Sequence, residues 1–192
     1  MVLMIKEQVI MKILKLLVSV KSIIAFIGIT FSTHAYSQEK DFEPAAVFEN
    51  WGVFVGENPK QCWVMSKPEN SKNTRDGRIV KVKRGAIFLF VNFRPDDKIN
   101  GQVSFTGGYP FAEGSNVSLS INNTDGIQFD LFTEGEWAWA RSNEEDTRLI
   151  GAMKKGARAI LIARSSRGTK TQDTFSLMGF TAAIEDAEKR CK

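Results

Sequence analysis

Thr174-Phe175-Ser176-Leu177-Met178, then Gly179, then Phe180-Thr181-Ala182-Ala183-Ile184-Glu185-Asp186-Ala187-Glu188-Lys189-Arg190-Cys191: this closing stretch decides the fold. The residues before Gly179 predict a short strand. After it, Phe180, Ala183, Ile184, Ala187 and Cys191 recur at helical spacing, with Glu185, Asp186, Glu188 and Lys189 on the opposite side. A helix with a single apolar face needs a sheet to lie on, and this one turns its cysteine inward. The chain's other cysteine is Cys62.

Working back from that helix, the chain supplies strands for the sheet. Residues 48–55 and 61–66 predict a hairpin across Gly56-Glu57-Asn58-Pro59-Lys60, which places Cys62 on a paired strand. A polar loop, 67–77, leads to Arg78-Ile79-Val80-Lys81-Val82-Lys83-Arg84. There the valines point one way, and Lys81 and Lys83 the other as a solvated strand face, the alternative being a phosphate-binding row. Ala86 to Phe93 is apolar at nearly every position and predicts a central strand covered on both faces. Further strands follow at 102–106, 116–121 and 127–132, the last two joined by a turn containing Asp125-Gly126.

Residues 137–140 form a short strand with Trp137 and Trp139 on one side. Ser142 followed by Glu145 is a capping box opening a helix. Glu144, Glu145 and Asp146 suit its positive end, Lys154 and Lys155 its negative end, Gly156 closes it, and Leu149, Ile150 and Met153 form its buried face. Residues 157–164 are another inner strand, and the polar turn 165–172 returns to the closing stretch. Many short strands with few helices predict a mainly β fold: an antiparallel β-sandwich or rolled sheet with two helices packed on it.

The N-terminus belongs to a different regime. Lys12, Lys15 and Lys21 precede the apolar run 23–31, and Ala35-Tyr36-Ser37 offers small residues to a signal peptidase, so residues 1–37 predict a secretory leader with Met11 as the more ordinary start. Residues 38–47, which include Pro44, predict a flexible lead-in, and 48–192 a single β-rich domain. An uncut membrane anchor would need about 20 apolar residues in a row, longer than this run. The whole chain has 26 basic and 22 acidic side chains, but Lys6, Lys12, Lys15, Lys21 and Glu7 lie in the leader, leaving 22 against 21. A net charge of +1 removes the support for a nucleic-acid partner. The single histidine, His34, leaves as well, which excludes Ser-His-Asp and Cys-His catalysis and imidazole-based zinc sites. No cofactor and no metal site is expected.

In an exported chain two cysteines suggest a Cys62–Cys191 bridge, worth on the order of 4 to 5 kcal/mol in the chain-entropy model. Two separate buried thiols are the alternative.

The segments Phe48-Glu49-Asn50-Trp51-Gly52-Val53-Phe54-Val55, Gln61-Cys62-Trp63, Leu149-Ile150-Gly151-Ala152-Met153-Lys154-Lys155-Gly156 and Phe175 to Ile184 resemble, in order and spacing, the invasion-associated locus B family of exported bacterial proteins. The resemblance implies a secreted, periplasmic or outer-membrane-associated protein with no catalytic residues to carry over. Where many members have further cysteines, this chain has Val55, Leu131 or Phe132, and Glu136. That difference argues against transferring an invasion role.

Two kinds of function remain for the residues themselves. Tyr109, Trp137 and Trp139, with Glu134 and Glu136 beside them, form a candidate binding surface for an envelope protein, a glycan or a host-surface ligand. The same carboxylates, with Asp130, could instead serve a hydrolase acting on an envelope glycan, since paired acids beside aromatic rings suit glycoside cleavage. Core filling by Trp51, Trp63, Trp137 and Trp139 is the structural alternative. A membrane-embedded barrel fits poorly with the charged closing helix.

Overall fold

The computed structural model describes residues 43–122 and 127–192; the expected leader lies outside the described residues. Twelve strands run Ala46–Phe48 (β1), Trp51–Gly56 (β2), Gln61–Ser66 (β3), Asn70–Arg75 (β4), Arg78–Ile79 (β5), Phe88–Arg94 (β6), Ile99–Thr106 (β7), Asn116–Asn122 (β8), Gln128–Glu134 (β9), Trp137–Trp139 (β10), Arg158–Arg164 (β11) and Lys170–Ser176 (β12). The described helices are Asn143–Lys155 (α1) and Phe180–Arg190 (α2). All strands join one antiparallel sheet in the order β1-β2-β3-β6-β7-β10-β9-β8-β11-β12-β4-β5.

Of the two expected forms this is the rolled sheet. Strands far apart in that order meet through their inner faces: Phe105 of β7 packs edge-on against Phe175 of β12 with ring centroids 6.2 Å apart. The Trp51 indole on β2 donates to the Ser176 carbonyl at 3.0 Å. Leu89, Val91, Val103, Leu119, Leu131 and Leu161 fill the interior with no exposure. Alternation along each strand puts these side chains on one face, and burying that face is the main stabilising term.

Both helices follow the sequence expectation. The Ser142 hydroxyl accepts the Glu145 N–H at 3.2 Å, and the Glu145 carboxylate reaches back to the Arg141 N–H at 2.8 Å. Leu149 and Met153 are fully buried beneath α1. A bulge between Asn92 and Phe93 shifts the β6–β7 register, leaving Gly101 (φ 94°) under Ile150, where a Cβ would come within 2.8 Å of its methyl.

Helix α2 packs on β1, β2, β3 and β6. Phe180 meets Trp51 edge-on at 4.8 Å, and Ala183, Ile184 and Ala187 are fully buried. The helix starts at Gly179 (φ 84°) with no side-chain cap, because a Cβ there would run into the Phe48 carbonyl. Cys191 at its C-terminus is bridged to Cys62 on β3, with Cα atoms 5.8 Å apart. The open alternative of two separate thiols is thereby resolved.

Three expectations are corrected. The presumed loop 67–77 contains β4, which pairs with β12 through Ser71↔Asp173 and Asn73↔Thr171. Its inward positions are polar because the interior beside it is polar, so no apolar alternation marks it. The expected strand 78–84 survives as β5 alone. Beyond it the chain is drawn off the sheet by the Arg84 guanidinium, which donates to the Gly107 carbonyl at 2.8 Å, and by Gly85, whose N–H donates to the Gly108 carbonyl at 2.8 Å. Finally, β6 is not covered on both faces: Leu89, Val91 and Phe93 point inward, while Phe88, Phe90 and Asn92 stand half-buried on the outer face.

Candidate functional site

Register alone brings an aromatic strip together on the outer face of the sheet. Trp63 stands opposite Phe54 and Asn92, Phe90 opposite Ser104, and Trp139 opposite both Ser104 and Phe132. Phe54 and Trp63 stack at 5.5 Å with planes 7° apart, and Trp137 and Trp139 stack at 6.4 Å. Phe90 lies 5.7 Å from Trp137, and Phe132 lies 5.5 Å from Trp139. Phe88 continues the strip 5.6 Å beyond Phe90. Each ring covers part of its neighbour, which is how an unroofed sheet face can carry so many rings.

The strip is open to water. Trp137 is 40% exposed, and a shallow depression of about 430 Å³ is lined by Trp63, Phe90, Asn92, Gln102, Trp137 and Trp139. Asn92 faces Gln102 across the β6–β7 pair, and its amide donates to the Ser104 hydroxyl at 3.0 Å. Amides and a hydroxyl are thus set between flat apolar rings. Trp51 does fill the core; Trp63, Trp137 and Trp139 do not.

The sequence-predicted surface is divided between two places. Trp137, Trp139 and Glu134, which stands opposite Trp137, share the outer face. Tyr109 and Glu136 line a separate cleft of about 440 Å³ with Arg75, Lys83, Arg84 and Arg167. Here Arg84 and the fully buried Asp173 form a two-pronged ion pair, at 2.8 and 2.6 Å, and Asp173 also accepts the Ser71 hydroxyl at 2.6 Å. The guanidinium lies 5.0 Å from the centre of the Tyr109 ring. Tyr109 bonds Thr171 through its hydroxyl, and burial raises its pKa against the opposing effects of that bond and of Arg84.

The carboxylates line different depressions. Glu134 borders a third depression with Phe132, Trp139 and Asp146, whereas Glu136 borders the cationic cleft, and Asp130 is exposed on β9.

A family model described as invasion associated locus B (IalB) protein matches residues 52–188. The chain belongs to the IalB family. The crystal structure of invasion associated protein b from Bartonella henselae is similar to it with a TM-score of 0.49 and 17% identity, over 74% of this chain and 94% of that one. No curated protein matches.

In this IalB chain the strands that carry the strip also set an acidic group that sequence reasoning placed only at a helix end. β10 stops at Trp139, opposite Ser104, and the N–H of the next residue on β7, Val103, is accepted by the Asp146 carboxylate at 2.8 Å. Burial pushes the Asp146 carboxyl up to about 6, the Val103 bond lowers it, and Glu145 beside it raises it.

A folded-state pKa above the unfolded one favours the protonated form. The Asp146 contribution is therefore fully present below about pH 4 and is lost as pH rises through about 6. Asp146→Asn keeps an oxygen for Val103 without the buried charge. It is expected to flatten the stability curve between those pH values and to raise stability at pH 7 by on the order of 2 kcal/mol. Urea unfolding across pH checks this, and an unchanged slope would contradict it.

Proposed function

We propose that this IalB-family protein is an exported, non-enzymatic binding module of the cell envelope, and that its aromatic strip receives the ring faces of a glycan. One observation carries this: Trp137, 40% exposed, stacks on the half-buried Trp139, and the half-buried amides of Asn92 and Gln102 stand beside them on the outer sheet face. Sugar rings present flat C–H faces rimmed by hydroxyls, so a ligand of that class matches both parts of the strip. Rings held by neighbouring rings also lose little freedom on binding. No described helix is long and apolar enough to cross a membrane, and the disulfide suits an oxidising compartment outside the cytoplasm.

Titration with soluble N-acetylglucosamine oligosaccharides, followed by indole fluorescence, tests the proposal. Binding should shift the emission and protect it from acrylamide. Trp137→Ala/Trp139→Ala should weaken binding by about tenfold or more in a chain that circular dichroism shows still folded at the titration temperature. Equal affinity of wild type and variant would overturn it.

A further inference from the structure

We propose that the cationic cleft beside Tyr109 is a phosphoryl-binding site, taking the charged substituent of a phosphorylated glycan whose rings lie on the aromatic strip. The inference deepens the glycan reading and rests on it for the saccharide part, while the phosphoryl site stands on its own geometry.

The interior of the rolled sheet changes character along β12. Phe175 faces the apolar core, whereas Asp173 and Thr171, at successive inward positions, are buried and polar. Arg84, Tyr109 and Ser71 close around them, and this polar end of the interior opens to solvent as the cleft. Its floor is already hydrogen-bonded. Arg84 donates from Nη1 and Nη2 to Asp173, from Nη1 also to the Asn73 side-chain carbonyl at 3.3 Å, and from Nε to the Gly107 carbonyl, and its ion pair with Asp173 presents no net charge to a ligand.

The rim is different. Lys83 and Arg167 are exposed and, among the described residues, form neither an ion pair nor a side-chain hydrogen bond. Arg75 gives one N–H to the Thr169 hydroxyl at 2.8 Å, which orients its guanidinium and leaves the rest of the fork without a partner among those residues. Against these three cations the rim sets one carboxylate, Glu136. Its excess of two positive charges matches a phosphate monoester, and a held arginine fork is suited to paired contacts with phosphoryl oxygens. Glu136 then remains to accept a sugar hydroxyl.

Position links this site to the strip. Glu136 on the cleft rim is followed directly by Trp137 on the outer face, and Thr106, opposite Trp137, leads through Gly107 and Gly108 to Tyr109. One saccharide can therefore lay a ring on Trp137 and direct its substituent around the β9–β10 turn into the cleft.

Isothermal titration of the chain from Gln38 to Lys192 tests this with three probes: an N-acetylglucosamine disaccharide carrying one phosphate, the same disaccharide without it, and inorganic phosphate. The phosphorylated sugar should bind at least about tenfold more tightly than the unphosphorylated one, by an amount that shrinks as salt is added. Arg75→Gln/Arg167→Gln should abolish that advantage and leave the unphosphorylated affinity unchanged. Lys83→Gln/Arg167→Gln, which removes no contact within the described protein, should reduce the advantage in a folded chain. If both sugars bind equally, the cleft proposal is overturned and the strip stands. If only inorganic phosphate binds, and does so through Arg75 and Arg167, the phosphoryl site stands and the glycan strip fails. Binding of none of the three overturns both.

Discussion

Removing the Cys62–Cys191 bridge, by reduction or as Cys62→Ala/Cys191→Ala, is expected to lower the unfolding free energy by about 5 kcal/mol. The bridge joins residues 129 apart in sequence, so it denies the unfolded chain a large set of open conformations. It also acts on one identifiable contact. Cys191 ends α2, whose apolar face covers Trp51 through Phe180, and Cys62 lies at the β3 position opposite Val55 on β2. Without the tie the end of α2 keeps the burial of Ala187 and the bond from the Lys60 ammonium to the Lys192 carbonyl. Denaturant unfolding with and without reductant measures the difference, and a loss below about 1 kcal/mol would show that the packing of α2 suffices by itself.

Arg84→Met should cost about 3 to 5 kcal/mol, for a different reason. Asp173 has no exposure and would keep only the Ser71 hydroxyl as a side-chain partner. A buried carboxylate stripped of its counter-ion is far less stable than the pair or than an apolar replacement of both. Arg84→Met/Asp173→Leu should therefore recover most of the loss. If the double variant is as unstable as the single one, the Arg84 bond to Gly107 and the packing against Tyr109 matter more than the ion pair.

These residues also mark where the sequence was legible. Helix α2 and the capping of α1 were readable because each is a local pattern, an apolar face repeated over a few turns or a pair of capping residues three apart. β4 was not, since Ser71, Asn73 and Arg75 face a polar interior and give none of the apolar alternation that identifies a strand. The strand from Phe88 was legible as a strand but misread in its surroundings: a run apolar at odd and even positions signals cover on both sides, and here the outer cover is the neighbouring rings.

The site shows the same division. Trp137 and Trp139 announced themselves by spacing of two, and their shared outer face follows from it. What that face contained depended on sheet order. Trp63, Phe90 and Gln102 arrive from three other strands, and Arg84 finds Asp173 from 89 positions away. Tyr109, grouped with the tryptophans as an aromatic beside a turn, and Glu136, their neighbour in the chain, both line the cleft instead.

A sheet of twelve strands whose ends, among the described residues, are not paired with each other also raises the matter of self-association, because exposed backbone groups on a terminal strand can recruit another copy and grow into a fibre. Here the terminal strands are too short to serve as templates. β1 has three residues and β5 only two, Arg78 and the exposed Ile79. Behind β5 lies a strand of polar and basic residues, Asn70-Ser71-Lys72-Asn73-Thr74-Arg75, rather than an apolar ribbon. The chain can thus display a wide sheet face to its surroundings without polymerising along it.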